Sequence, residues 1–589
     1  RMIIHSLCNY YERLLNDPDS GVSPPGYSKA KVSYALNIST DGKLLNIIDL
    51  RVLRGKKLVS RELGVPEQPK RTYGVAPYFL CDHCGYVLGI DTKGKPERAL
   101  EQFRQFRKFH HQLLNGIEDE GAIAVLKFLD AWELARAHEN PLIQQYLDGL
   151  TKGGNLVFML AGSTNYIHNR PAIRAAWERY KQQSTDIHIG QCLVTGQKAP
   201  IARVHPPIKG VSGAKSTGAA LVSFNRKAFE SYSKEQSYNA PVSESAAFAY
   251  TTALNYLLAN DRYHMRIADT TTVFWAERTG QGMEEDIFAE LFDTAWTSGD
   301  KKNEQETRRD PETTKLVRDI LMRIKEGRPI TDSMTKFDPQ ARFFILGLAP
   351  NAGRLAVRFW YVDSFGNIVE NIGRHYNDLA IDKMRPNEPD FIPLWQLLKE
   401  SAPLNDLNNI SPLLAGAVTR SILQGIAYPQ SLYTNALMRI RTDQKITYVR
   451  ATIIKACLSR NYSYLDSEKT EVIKAMELCE HNADVAYRLG RLFALLEKAQ
   501  QDANPGINAT IRDRYFGAAS ATPRAVFPLL LRLAQHHIAK AEYGFTIDKK
   551  IGELMDGITA FPAHLNLEQQ GLFVLGYYHQ RNALYKKQN

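Results

Sequence analysis

Cysteine is scarce in this chain: six in 589 residues, at positions 8, 81, 84, 192, 457 and 479. Six so widely spread offer no disulfide framework, which suggests a reducing cytoplasm. Long apolar runs are missing as well; none approaches the ~20 residues needed to span a bilayer. The opening stretch from Met2 to Arg13 turns polar too early for a signal peptide. A cytoplasmic protein with no membrane partner is the expectation. Negative charge is in deficit, with 63 Asp and Glu against 74 Lys and Arg, a net charge of +11. No internal repeat of fixed period and no low-complexity tail is present.

What remains is the composition of a globular protein, 44% hydrophobic and 10% aromatic. The length predicts roughly two to four domains, each able to bury a core. A basic balance favours nucleic acid or an anionic membrane as partner and says nothing about fold.

Along the chain, residues 2–17 have a helical pattern and 28–59 read as strands. Asp41-Gly42 sits between two alternating runs and predicts a hairpin, because Asp-Gly accepts the positive φ of the turn. Residues 97–149 read as helices. Within them Leu100, Phe103, Phe106 and Leu113 lie on one stripe and bases on another. NLVFML, AALVSF, TTVFWAE, RFFILGLAP and RLAVRFWYV between 155 and 363 read as strands. Ser243 caps a helix there, and the polar run 297–314 reads as a surface loop. From Ser364 onward strand signals fade and helical segments follow at 391–401, 411–424, 431–440, 446–460, 484–503, 522–540 and 566–587. The fold class predicted is α+β: a mixed part over 1–363, then an all-α helical bundle over 364–589.

The motifs that suggest chemistry are weak. Cys81-Asp-His-Cys84 lacks the second ligand pair of a zinc site. A thioredoxin-like role wants a helix after the pair, and GYVLGID reads as a strand. Gly210–Thr217 resembles a P-loop but has Ala214 where glycine must precede Lys215. Ser212-x-x-Lys215 and Ser231-x-x-Lys234 both match a Ser-Lys nucleophile pattern, which shows how cheap that pattern is. His110-His111 and His536-His537 lie on helical stretches, where neighbours point about 100° apart and cannot easily share one metal. They read as solvated or capping residues. Neither a metal nor a cofactor is expected.

Basic clusters are the stronger signal. Between Lys198 and Gln236 lie seven Lys or Arg against two Glu, interleaved with Gly, Ser, Thr, Asn and aromatics. That mixture suits phosphates and stacked bases. Arg51 to Arg71 carries seven bases against two Glu and leads into an aromatic run, Thr72 to Phe79. A third cluster places eight Lys or Arg against three acids between Val485 and Lys540.

These segments carry a family likeness. YFLCDHCGYVLG (78–89), the long run CLVTGQKAPIARVHPPIKGVSGAKSTGAALVSFNRKAFESYSKEQSYNAPVSESAAFAYTTALNYLL (192–258), FFILGLAPNAGRLAVRFWYVDSFG (343–366) and YRLGRLFALLEKAQQDANPGINATIRDRYFGAASATPRAVFP (487–528) resemble the large subunit of the type I-C CRISPR Cascade complex. The likeness runs over essentially the whole chain. It implies a non-enzymatic protein of the prokaryotic cytoplasm. Its partners would be the CRISPR RNA-containing backbone, other Cascade subunits, target double-stranded DNA, the displaced single strand and a helicase-nuclease. Such subunits read a short protospacer-adjacent motif (PAM), while guide pairing supplies most of the sequence specificity. It also implies a small-subunit-like C-terminal part, about 476–589, which can be made separately. Met476 is the candidate internal start.

Within that role, local chemistry assigns residues. Lys29, Lys31, Arg71, Thr72, Tyr73, Tyr78 and Phe79 would approach the duplex at the motif, partly as a wedge. Arg203, Lys209, Lys215, Arg226, Lys227 and Lys234 would hold the non-target strand. Arg488, Arg491, Lys498, Arg512, Arg514 and Arg524 would continue that groove. The competing readings are a generic basic scaffold, which predicts no motif preference, and a metal-dependent nuclease.

Overall fold

The computed structural model describes residues 2–17, 20–54, 57–68, 71, 74–91, 94–182, 188–277, 283–292, 311–326, 328, 337–461 and 467–586. Two compact units share them: residues 1–207 with 222–256, and 208–221 with 257–589. The expected change from mixed to helical structure at 363/364 falls inside the second unit.

In the first unit the centre is β1 (Tyr27–Ile38). One edge of β1 serves two antiparallel partners in turn. β2 (Leu44–Asp49) pairs with its C-terminal half and β5 (Arg61–Pro66) with its N-terminal half. Between them the chain leaves the sheet as a small hairpin, β3 (Val52–Arg54) and β4 (Lys57–Val59). β7 (Asn155–Leu160) runs parallel on the other edge and is flanked by β6 (Cys81–Asp82). The Asp41-Gly42 hairpin forms as expected. Gly42 has φ +82°, and a Cβ there would lie 2.5 Å from the Phe128 backbone nitrogen.

Helices Pro96–Leu114, Glu120–Ala131 and Pro141–Thr151 cover the sheet. The first buries Phe103, Phe106, His110 and Leu113. Two short strands, β8 (Ile189–Gln191) and β9 (Lys198–Pro200), open the basic region. The expected strand over 219–224 does not form. Ala219 and Ala220 make single bridges, to Ile208 and Arg354, and no ladder continues from them.

The second unit begins with an antiparallel meander, β10 (His264–Ile267), β11 (Thr270–Ala276), β12 (Arg342–Asn351) and β13 (Arg354–Ser364). Phe274 and Phe343 pack against Phe288, and Phe343 also against Phe365. Residues 297–310 of the expected loop lie outside the described residues, and 311–314 open a helix, Pro311–Lys325. The predicted C-terminal helices all form. Phe365–Leu379, Ser467–Lys474, Ile511–Ala519 and Gly544–Met555 are helices that periodicity missed. One continuous apolar core runs from Ile267 to Tyr578.

Helix Cys84–Val87 corrects the strand reading of GYVLGID, with His83 Nδ1 accepting from Gly85 N–H at its start. The CxxC pair does not gain redox character from that helix. Both thiols are buried, and burial pushes both up, Cys84 to about 11. An activated redox thiol needs the opposite shift.

Candidate nucleic-acid interface

The N-terminal candidates separate into exposed cations and internal supports. Lys29 and Lys31 alternate with buried Ala30 and Val32 on β1, so both project from one exposed face. Across the ladder they stand opposite Gly64 and Glu62. Arg71 is a brace. Its guanidinium lies 3.6 Å from the Tyr78 ring centroid and 4.0 Å from that of Tyr86. It also pairs with buried Asp82 and donates to the Ala76 carbonyl at 2.6 Å. Burial raises the Asp82 carboxyl to about 6, against the pull of Arg71 and of the Tyr78 and His83 amides.

Phe79 is core. It stacks on Trp177 at 5.3 Å and on His110 at 5.4 Å, and is 1% exposed. This placement removes Phe79 as a wedge, because exposing it would open that stack. His110 is likewise internal rather than solvated. Its Nε2 accepts from Leu80 N–H (2.9 Å), and burial lowers its pKa to about 3, so it is neutral. Tyr78 is half-buried beneath Arg71. Thr72 and Tyr73 lie outside the described residues.

The central candidates are all exposed. Arg203, Arg226, Lys227 and Lys234 belong to the first unit, and Lys209 and Lys215 to the second. Lys215 sits at the tip of a loop closed by paired backbone hydrogen bonds between Ile208 and Ala219 (2.9 and 2.8 Å). Within it, the Ser212 amide donates to Thr271 Oγ1 at 3.0 Å.

In the first unit, Ser231 to Lys234 form a tight turn closed by Lys234 N–H to the Ser231 carbonyl (3.0 Å). Both central residues, Tyr232 and Ser233, have positive φ, +52° and +58°. That is the pattern of a type I′ turn, which glycine and asparagine favour. Asn239 holds it from both sides. Its Oδ1 accepts from Ser231 N–H (2.8 Å), and its Nδ2 donates to the Lys234 and Gln236 carbonyls (2.6 and 2.9 Å).

Ser233→Gly is expected to stabilise the protein by about 0.5–1 kcal/mol. Left-handed strain of about 1–2 kcal/mol is relieved, less the added freedom of the unfolded chain. Urea unfolding would show a raised midpoint; an unchanged one would mean the turn is unstrained. Sequence reading singled out neither Tyr232 nor Asn239. The Asn was visible only as turn composition.

The third set divides: Arg491 is buried, which removes it from a surface groove, and Arg488, Lys498 and Arg512 are half-buried with acceptors in the protein. Helix Val485–Ala503 is buried around most of its circumference, so its cations must find acceptors inside. Arg491 is 7% exposed and donates to Gln580 Oε1 and to the Cys479 and Glu480 carbonyls at 3.1, 3.2 and 2.5 Å. Arg488 donates to the Asn482 carbonyl (2.7 Å). Lys498 pairs with Asp502. Arg512 lies 3.8 Å from buried Glu497 and 3.4 Å from Asp513. Arg514 and Arg524 are exposed.

Among the described residues, no group of three or more His, Cys, Asp or Glu is placed to hold a metal ion. No helix among them is long and apolar enough to cross a membrane.

A family model described as CRISPR-associated protein (Cas_Csd1) matches residues 7–585. The class is thereby that of a CRISPR-associated protein. The chain belongs to the Cas_Csd1 family, which is that of the type I-C large subunit. No curated protein matches it.

Proposed function

We propose that this chain is a non-catalytic Cascade subunit that recognises the protospacer-adjacent motif in double-stranded DNA, promotes R-loop formation and holds the non-target strand. It would also present the helicase-nuclease with its platform and sit beside the CRISPR RNA-bearing backbone and a small subunit. The observation that carries this reading is the first unit's own surface. Lys29 and Lys31 project from a folded sheet, and exposed Arg226 and Lys227 precede a hydrogen-bonded turn that Lys234 closes. Exposed cations near an exposed aromatic in the chain suit a strand whose bases are unpaired. Met476 falls between helices Ser467–Lys474 and Val485–Ala503, so a product begun there would start with a whole helix.

The test is target binding by the guide-RNA complex, reconstituted with and without this chain, on duplexes with an intact or scrambled motif. Tight binding should need both the chain and the intact motif. Lys29→Glu with Lys31→Glu should weaken the motif-bearing duplex at least about tenfold and shrink the preference for it, each lost phosphate contact also lowering the salt slope by roughly 0.9. If the chain strengthens both duplexes equally, it is a basic clamp and motif reading lies elsewhere.

A further inference from the structure

Tyr232 is 95% exposed, the most exposed large apolar side chain among the described residues. Tyrosine ordinarily covers part of its ring against neighbouring surface, as Tyr78 does under Arg71. Here the backbone prevents that. The left-handed conformations at 232 and 233 turn the side chain outward, and the three hydrogen bonds of Asn239 hold the turn shut. A bulky residue is an outlier at positive φ. Folds that keep strain at an exposed position generally use the geometry it fixes. Arg226 and Lys227 precede the turn and Lys234 closes it, and all three are exposed.

We infer that Tyr232 is the stacking platform for one unpaired base of single-stranded DNA, with Lys227 and Lys234 on the adjoining phosphates. This rests on the reading that the loop holds the non-target strand, and it adds the residue that grips the base. Every base has a π-face, so the contact tolerates any sequence. That is what a subunit needs when guide pairing sets the target and the displaced strand varies freely. A preformed turn also means that the backbone carrying the ring is not ordered at the expense of binding.

Tyr232→Asn suits the turn and removes the ring; Tyr232→Phe keeps the ring. The probe is a short single-stranded oligonucleotide bearing one aminopurine, titrated with the full chain across salt concentrations. Tyr232→Asn should weaken binding about tenfold and abolish aminopurine quenching without changing the salt slope, while Tyr232→Phe behaves as wild type. Reversing Lys227 and Lys234 to Glu should instead lower the slope by roughly 1.4, two phosphates at about 0.7 each.

Wild-type affinity and quenching in Tyr232→Asn, alongside weakened binding in the charge-reversed variant, would overturn the stacking role and leave strand holding in place. If neither variant changes binding, both readings fall. If Tyr232→Asn binds DNA normally but no longer joins the guide-RNA complex, the ring is a protein anchor and the inference is wrong.

Discussion

Gly490→Ala and Gly576→Ala are each expected to destabilise the second unit by about 3 kcal/mol, the upper range for overpacking, because the obstacle is backbone. Helices Val485–Ala503 and Leu567–Tyr585 cross in intimate contact, with these glycines set against each other's partner helix. A Cβ on Gly490 would fall 2.0 Å from the Phe573 carbonyl oxygen, and one on Gly576 would fall 2.1 Å from that of Tyr487. A side chain could rotate away from such a clash; a carbonyl within a helix cannot. The helices must therefore separate, and Phe493, Phe516, Phe573 and Tyr577, whose rings pack together, lose contact. Gly552 is the control. It lies within helix Gly544–Met555 with open space about it, so alanine should stabilise there by up to about 1 kcal/mol. Calorimetry on the three variants should give two lowered transitions and one raised. Lowered transitions in all three would mean that helix contact is not the cause.

Glu497→Ala is expected to cost about 3–5 kcal/mol, the penalty for removing one partner from a buried charge cluster. Glu497 is 1% exposed and accepts from three donors, with Arg512 as a further ion-pair partner. Thr510 Oγ1 reaches Oε1 at 2.7 Å, and the Tyr577 hydroxyl and Arg581 Nη1 reach Oε2 at 2.5 and 2.7 Å. Arg512 stands 3.8 Å from Oε1. Without the carboxylate, the guanidiniums of Arg512 and Arg581 and the Tyr577 hydroxyl lose the acceptor they share. Adding Arg512→Met and Arg581→Met to Glu497→Ala should recover more than half of the loss, since an apolar cluster of similar volume has no charge left to satisfy. The three changes share one network and will not add. A triple variant as unstable as Glu497→Ala alone would show that packing, not charge, sets the cost.

Both predictions concern residues that sequence patterning passed over. Gly490 and Gly576 sit inside strongly helical stretches, where glycine looks like a weak point. Close approach between two helices is a property of their crossing, which periodicity along one of them does not encode. Glu497 was visible only as one of three acids among eight bases. Its value comes from donors on other helices, up to 84 residues away. The Arg71 sandwich is partly local, since Tyr78, Asp82 and Tyr86 follow within fifteen positions, yet a basic residue beside aromatics also fits a duplex-facing loop. Burial decides between the two, and burial is not a local quantity.

Much of the architecture was nevertheless legible. The Asp41-Gly42 hairpin, the sheet strands at 155–160, 270–276, 342–351 and 354–364, and the succession of C-terminal helices follow from side-chain period and turn chemistry. These act between near neighbours, so the sequence carries them directly. The basic loops were legible in composition too, because lysines with no apolar neighbours have nothing to bury and stay exposed. Tertiary structure alone decided which cations are available. It took Arg491, Arg512 and Arg71 inward, where a buried charge must find an acceptor, and left Lys29, Lys31, Arg226, Lys227 and Lys234 in solvent. It also set Tyr232 outward on a turn locked by Asn239, by hydrogen bonds that depend on the backbone path of the whole loop.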